Sequence, residues 1–405
     1  MTTDKRILLG LAKMGGQEMK YIQQAFDTNW VVPLGPNVDG FEADLKAFLG
    51  QDKEVVAVSS GTAAIHLAMH ACGIGPGDEV IVQSFTFCAS ANPAIYLGAT
   101  PVFVDSEKDT WNMDPDLLEE AIRDRIAKTG KAPKAIEPVS LYGMPYRIDR
   151  IREIAGRYGI PIIEDSAEAL GSRFDGRALG TFGQYGVLSF NGNKMITTSG
   201  GGAVICPDAA TKERILWLAS QARESYPYYQ HEAIGYNYRL SNVSAGIGRG
   251  QMEVVRDYIT HHQRLYGLYR DLLSDVPGIT VHGNPEARIA SNFWLNTITL
   301  DPELRIDGQE NAYAGTPVTD CQPNDNVEAL RRFLDRAGVE TRPLWKPLHR
   351  QPVYQSAPVY VNGVSEALFK VGLCLPSGAS VTEADVQYIV NKIKEAINES
   401  SYKKL

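Results

Sequence analysis

Residues 162–202 read IIEDSAEALGSRFDGRALGTFGQYGVLSFNGNKMITTSGGG. The stretch opens inside an apolar run, IPIIE (160–164), which is short and β-branched like a strand buried on both faces. Asp165 stands at its carboxyl end, where open α/β sheets gather their ligands. A second run, GVLSF (186–190), leads into a loop holding Asn191, Gly192, Asn193 and Lys194, and GAVIC (202–206) resumes the strand pattern. A lysine flanked by small and turn-forming residues is poorly explained as a solvated face. It points to an amine held in a cleft as a nucleophile.

Working outward, EVVAV (54–58), EVIV (79–82), TPVFV (100–104) and KAIEPVSL (134–141) have the same strand character. Helical runs at 62–72, 115–127 and 147–158 lie between them. This alternation predicts an α/β domain with a mostly parallel sheet flanked by helices. A helix is expected over 208–224, and one or two long helices over 240–275. From about 276 the character changes to isolated strands (GITVHG, NTITL), a surface loop over 306–326, and helices at 326–337 and 383–397. The expected organisation is a large α/β domain over 1–260 and a smaller α+β domain over 261–405. The boundary is soft within 250–280.

A second constellation is AVSSGTAAIHLAMHA (57–71), where a strand ends, a Ser-Ser-Gly-Thr turn follows and a helix begins. Free N–H groups at such a helix start bind anions, and Gly61 permits close backbone approach. Plain N-capping by Ser60 or Thr62 would look the same. A phosphate cradle, a carboxylate and an amine on one sheet edge are the three requirements of pyridoxal phosphate.

The chain has 405 residues, 44% of them hydrophobic and 22% charged, which excludes a largely disordered or coiled-coil protein. Its 40 Lys+Arg against 48 Asp+Glu give a net charge of −8, which argues against a nucleic-acid partner. Five scattered cysteines without a CxxC read as free thiols in a reducing compartment. With no signal-like start and no long apolar span, a soluble cytoplasmic protein is expected, away from membranes. His66 and His70 are spaced i, i+4, but without the HExxH pattern they read as structural, and no metal site is expected. The glycines of GIGPGDEV (73–80) read as a turn, and Met14, Met19 and Met69 as core filler.

The blocks SSGTAAIHLAM, SFTFCAS, ATPVFVD, IEDSAEALGS, SFNGNKMITTSGGG and YNYRLSN occur here in order. They resemble the successive motifs of the DegT/DnrJ/EryC1/StrS nucleotide-sugar aminotransferases, of fold type I, from about residue 10 to residue 397. NGNK before ITTSGGG, then SQARES, VETRPLWKPLHRQPVY and LCLPSG, resemble the enzymes that aminate carbon 4 of UDP-4-keto-6-deoxy-N-acetylglucosamine on the way to bacillosamine. Perosamine-type relatives usually carry a Glu in the Gly run, where this chain has Ser199-Gly200-Gly201-Gly202. Carbon-3 aminotransferases usually have a Pro where this chain has Asn193.

The resemblance implies that Lys194 joins the cofactor covalently and later shuttles a proton, and that Asp165 pairs with the pyridine nitrogen. It implies that Phe87 stacks on the ring, that Gly61, Thr62, Ala63 and Ser189 hold the phosphate, and that Glu168 replaces the usual Gln near the ring hydroxyl. Asn237 is expected to reach the neighbouring subunit's cofactor in a homodimer with shared sites. Asn191, Arg239 and the cluster Arg342, Lys346, His349 and Arg350 are candidates for the sugar diphosphate or the donor carboxylate. Trp345 could line the substrate pocket or simply pack. The implied activity is pyridoxal-phosphate-dependent transamination of a UDP-linked keto sugar with L-glutamate as donor. A GDP-linked 4-keto sugar or a legionaminic acid precursor is the alternative acceptor. Relatives that are dehydratases have His in place of the Lys, and a non-catalytic regulatory protein would leave the Lys194–Asp165 set unexplained.

Overall fold

The computed structural model describes residues 6–50, 52–317 and 319–402. Two helices, α1 (Glu18–Asp27) and α2 (Pro36–Leu49), precede the first strand, β1 (Glu54–Val58), and helix α3 (Gly61–Ala71). Then come β2 (Glu79–Gln83), α4 (Asn92–Tyr96), β3 (Thr100–Val104), α5 (Pro115–Thr129), β4 (Ala135–Glu137), α6 (Ile148–Tyr158) and β5 (Ile163–Asp165). A small β6 (Arg173–Phe174) and β7 (Arg177–Ala178) lead to β8 (Tyr185–Ser189) and β9 (Gly202–Cys206). The helices α7 (Ala209–Ala219), α8 (Asn242–Met252) and α9 (Val255–Leu273) follow. The remainder contains β10 (Ile279–Val281), β11 (Ile289–Ala290), β12 (Asn296–Leu300), α10 (Asp325–Arg336), β13 (Arg342–Pro343), β14 (Val359–Tyr360), α11 (Val364–Val371), β15 (Gly372–Leu375) and α12 (Glu383–Tyr402).

The larger sheet has two halves, ordered β1-β9-β8-β5 and β4-β2-β3-β14. Parallel bridges Ile136↔Ile162 and Val139↔Asp165 join them through β4 and β5. Only β9 runs against its neighbours; the other pairings are parallel. Val56, Val58, Val80, Val82 and Val187 are fully buried on the side of α3; the opposite face is covered by α5 and α6 at β2, β3 and β4 and by α2 and α8 at β1, β8 and β9. Burial on both faces explains the unbroken apolar runs in the sequence. The result is an α/β architecture of fold type I with a mostly parallel sheet.

The second sheet, β10-β12-β15-β13, is antiparallel and packs against α9, α10 and α12. Residue 260 lies inside α9, so the chain passes between the two sheets along one helix. Two segments also cross back: Ile7 bridges to Val339 beside the smaller sheet, and β14 extends the larger one. Gly73 and Gly77 have φ of 69° and 80°, in the turn between α3 and β2. Met69 is fully buried, but Met14 and Met19 are exposed, against the core role expected of them. The reason is that α1 packs against α8 and turns Glu18 and Ala25 inward, which leaves Met19 and Phe26 on its outer face. Cys72, Cys88, Cys206, Cys321 and Cys374 are free. Among the described residues no helix is long and apolar enough to cross a membrane.

Candidate active site

A cleft of about 360 Å³ opens at the carboxyl ends of β1, β5 and β8. At one end is the start of α3. Ser60 caps the helix, its Oγ accepting the Ala63 N–H at 3.0 Å. Gly61 and Thr62 line the cleft, and as first-turn residues their N–H groups have no acceptor within the helix. Two glycines let the surrounding strands close in. A Cβ on Gly61 would lie 3.0 Å from the Ser189 side chain, and one on Gly202 only 2.4 Å from the Ser60 carbonyl carbon. Hydroxyls of Ser59, Thr62 and Ser189 share this end. The donor set is that of an anion site at a helix start.

At the floor, Asp165 ends β5 and is 5% exposed. Its Oδ2 accepts the Ser90 hydroxyl at 2.7 Å and its Oδ1 the Ala167 N–H at 3.1 Å. Burial pushes the Asp165 carboxyl above its ordinary range, against the opposing pull of these bonds and of Lys194. Three residues on, Glu168 is also buried, and burial raises its carboxyl too. Its Oε2 accepts the Tyr142 N–H at 2.7 Å, and its Oε1 accepts from Lys194 Nζ at 3.3 Å. Lys194 sits in the loop between β8 and β9, its N–H turned back to the Asn191 carbonyl at 3.0 Å. Its amine lies 4.0 Å from the centre of the Trp294 ring. Phe87 and Trp345 form the aromatic walls, their rings 6.2 Å apart.

The cleft therefore gathers Gly61, Thr62, Phe87, Asp165, Glu168, Ser189, Asn191 and Lys194 from four separate stretches of chain. Ala63 stands just behind, its N–H taken by the cap. The other candidates lie outside the cleft lining. Asn237 is exposed and bridges to Ser220. Arg239 is drawn to the Glu42 carboxylate (3.0 Å) and the Ala57 carbonyl (3.3 Å). Arg342 is exposed at a sheet edge and paired with Glu340 at 2.8 Å. His349 is held between the Ser84 hydroxyl at 2.7 Å and the Glu366 carboxylate at 3.1 Å. Arg350 pairs with Asp320, and Lys346 is half-buried on the adjoining loop. Trp345 does both things expected of it, lining the cleft and packing 5.7 Å from Tyr142. His66 and His70, on α3, sit among Tyr96, Tyr236 and Tyr238, and burial pushes His66 down to about 4.

Residues 12–394 match the DegT/DnrJ/EryC1/StrS aminotransferase family. The chain belongs to that family. It is 43% identical to EpsN of Bacillus subtilis (strain 168), over 99% of this chain and 98% of that one. EpsN's name carries a provisional assignment as a pyridoxal phosphate-dependent aminotransferase. It is 33% identical to the GDP-perosamine synthase of Caulobacter vibrioides, over 97% and 98% of the two chains. The crystal structure of a DegT DnrJ EryC1 StrS aminotransferase from Brucella abortus superposes with a TM-score of 0.83 at 30% identity, covering 94% and 95%. As a DegT/DnrJ/EryC1/StrS aminotransferase, the protein is a pyridoxal-phosphate-dependent sugar aminotransferase of nucleotide-sugar pathways.

Two cleft residues escaped the sequence reading. Ser90 lies inside the SFTFCAS block, but only the fold brings its hydroxyl to Asp165. Trp294 enters from a hundred residues beyond Lys194, and no local pattern announces it.

Proposed function

We propose that the cleft binds pyridoxal phosphate and transfers an amino group from L-glutamate to carbon 4 of a UDP-4-keto-6-deoxy-N-acetylhexosamine. One observation carries this reading: the amine of Lys194, the buried Asp165 and the anion-binding start of α3 line one cleft with aromatic walls. The residues fit the cofactor, since the close approach of Gly61 to Ser189 leaves a cradle of N–H and hydroxyl donors for a phosphate. A carboxylate fixed by Ser90 suits a protonated ring nitrogen.

In this reading Gly61, Thr62 and Ser189 would hold the phosphate, Ala63 would support them from behind with its N–H kept by the Ser60 cap, and Phe87 would cover the ring. Asp165 keeps the ring nitrogen protonated. When bound, pyridoxal phosphate supplies an electron sink for charge left on a carbon that loses its proton. Lys194 is the nucleophile that attaches the cofactor. As a free base its amine would carry the proton between carbon atoms. Glu168, buried 3.3 Å from Nζ, is placed to accept a hydrogen bond from that amine or to give a proton to the ring oxygen. Asn191 lines the same cleft and would contact the sugar or the amino donor.

We also propose a homodimer in which Asn237 serves the neighbouring subunit's phosphate. Its exposure, and the exposed apolar group of Met19, Phe26, Trp30 and Leu34, support an interface. The absence of a Glu from Ser199-Gly200-Gly201-Gly202 supports the UDP-linked acceptor. The 33% identity to a GDP-perosamine synthase favours a second reading, a GDP-linked 4-keto sugar. Steady-state assays with the two nucleotide sugars side by side separate them. We expect parallel-line, ping-pong kinetics and a kcat/KM at least about tenfold higher for the UDP sugar, about 1.4 kcal/mol of preference. The reverse order of preference would select the GDP sugar.

A further inference from the structure

The segment Ser291–Trp294 connects β11 to β12 and is gripped on every side. Ser291 Oγ donates to the Gly143 carbonyl at 3.0 Å. Asn292 Nδ2 donates to the carbonyls of Glu168 and Leu170 at 2.9 and 3.0 Å, and its N–H donates to Ser172 Oγ at 2.9 Å. Asn292 Oδ1 in turn accepts the Trp294 N–H at 2.9 Å. Between them Phe293 has a φ of +50°, a left-handed conformation that a bulky residue adopts only when its surroundings hold it there. It is held there by a stack on Tyr266 at 3.7 Å and a bond of 3.2 Å from His262 Nδ1 to its carbonyl.

The consequence of this strained turn is the direction of the next side chain. Trp294, 3% exposed, enters the cleft and grips the lysine loop twice. Its Nε1–H donates to the carbonyl of Asn193 at 2.7 Å, the residue before Lys194. Its ring centre lies 4.0 Å from Lys194 Nζ, which also donates to the Glu168 carboxyl at 3.3 Å. A ring face attracts an ammonium by about 0.5–2 kcal/mol.

We propose that Trp294 is the positioning residue of Lys194: its indole N–H fixes the loop, and its ring face holds the amine beside Glu168 whenever that amine is free. The proposal rests on the reading of Lys194 as the reacting amine. The strain at Phe293 and the clamp at Asn292 then serve to aim one indole from the smaller sheet's side at a lysine of the larger.

The experiment compares Trp294→Phe, which keeps a ring face and loses the N–H, with Trp294→Leu, which loses both. The first readout is independent of turnover: the rate at which acetic anhydride labels Lys194 in the apoenzyme, followed by peptide mass spectrometry. Loss of the ring face releases the amine, so labelling in Trp294→Leu is expected to be about 2- to 30-fold faster. Trp294→Phe, which keeps the ring face but loses the bond to Asn193, should fall between Trp294→Leu and the unsubstituted protein. The second readout is the kinetic split. Trp294→Leu should lower kcat by about 10- to 100-fold with the KM for the keto sugar unchanged, and Trp294→Phe should recover only the part that the ring face supplies. Should Trp294→Leu not fold, Trp294→Met fills the volume without a ring face and carries the same expectations. Unchanged Lys194 labelling, with Phe and Leu variants equally impaired, would reduce Trp294 to packing and overturn the proposal. If instead Lys194→Ala kept transaminase activity, the reading of Lys194 would fall, while the labelling would still report the Trp294 contact.

Discussion

Carboxyl groups in this protein differ in how their burial is compensated. Asp165 and Glu168 are buried but bonded. Glu137, on β4, is fully buried, and neither of its oxygens has a partner. Burial pushes its carboxyl well above the usual range, and the nearby charge of Asp165 adds to the rise. The folded protein therefore keeps a proton on Glu137 that the unfolded chain releases above about pH 4.3. In that window the native state binds more protons, so stability falls as pH rises, by up to about 1.4 kcal/mol per pH unit. Glu137→Leu is expected to flatten this decline and raise apoenzyme stability by about 1–3 kcal/mol at neutral pH. Thermal melts from pH 5 to pH 9 check it. A variant that melts lower at every pH would show that Glu137 has a partner supporting the fold.

At the scale of elements, the strands were legible because burial on both faces leaves β-branched runs with no polar alternation. The errors have local causes. KAIEPVSL reads as a strand to 141, but β4 ends at Glu137 because Pro138 has no N–H to continue the ladder. A helix to 224 looks plausible, but α7 ends at Ala219, and Gln221 and Ala222 take left-handed φ of 67° and 49°. The helices α1 and α2 were not singled out in the sequence. The chain's own blocks announced Lys194, Asp165 and the turn before α3, since each is local to one strand end. Trp294 and the bond from Ser90 were silent, because they depend on chain segments meeting in space. The meeting of α3, β8 and β9 is itself a prediction. Gly202→Ala puts a Cβ against the backbone of Ser60 and should cost about 1–3 kcal/mol, weakening cofactor binding about tenfold or more. Gly156→Ala on α6, with open space around it, should leave both properties intact. Melting curves and cofactor titration of the two variants make the comparison.

For the whole molecule, the two sheets supply different sides of one cleft. The larger sheet brings the anion site, Asp165 and Lys194; the β11–β12 turn brings Trp294. The proposed second copy of the chain would cover the exposed apolar surface at α1 and the segment after it. Light scattering should give a particle of twice the 44.5 kDa chain mass. Phe26→Asp combined with Trp30→Asp should yield a monomer that retains cofactor poorly, because Asn237 then serves no neighbour. A monomer with full cofactor retention would remove the shared site. The central claim is that Lys194 attaches the cofactor and that glutamate displaces it. Its most direct test is the visible absorbance of the purified protein with pyridoxal phosphate, before and after L-glutamate, alongside Lys194→Ala. The expected result is a yellow band that glutamate bleaches and the UDP-linked keto sugar restores, with no such band attached to the protein in Lys194→Ala. A band that persists on the variant and bleaches in the same way would contradict it.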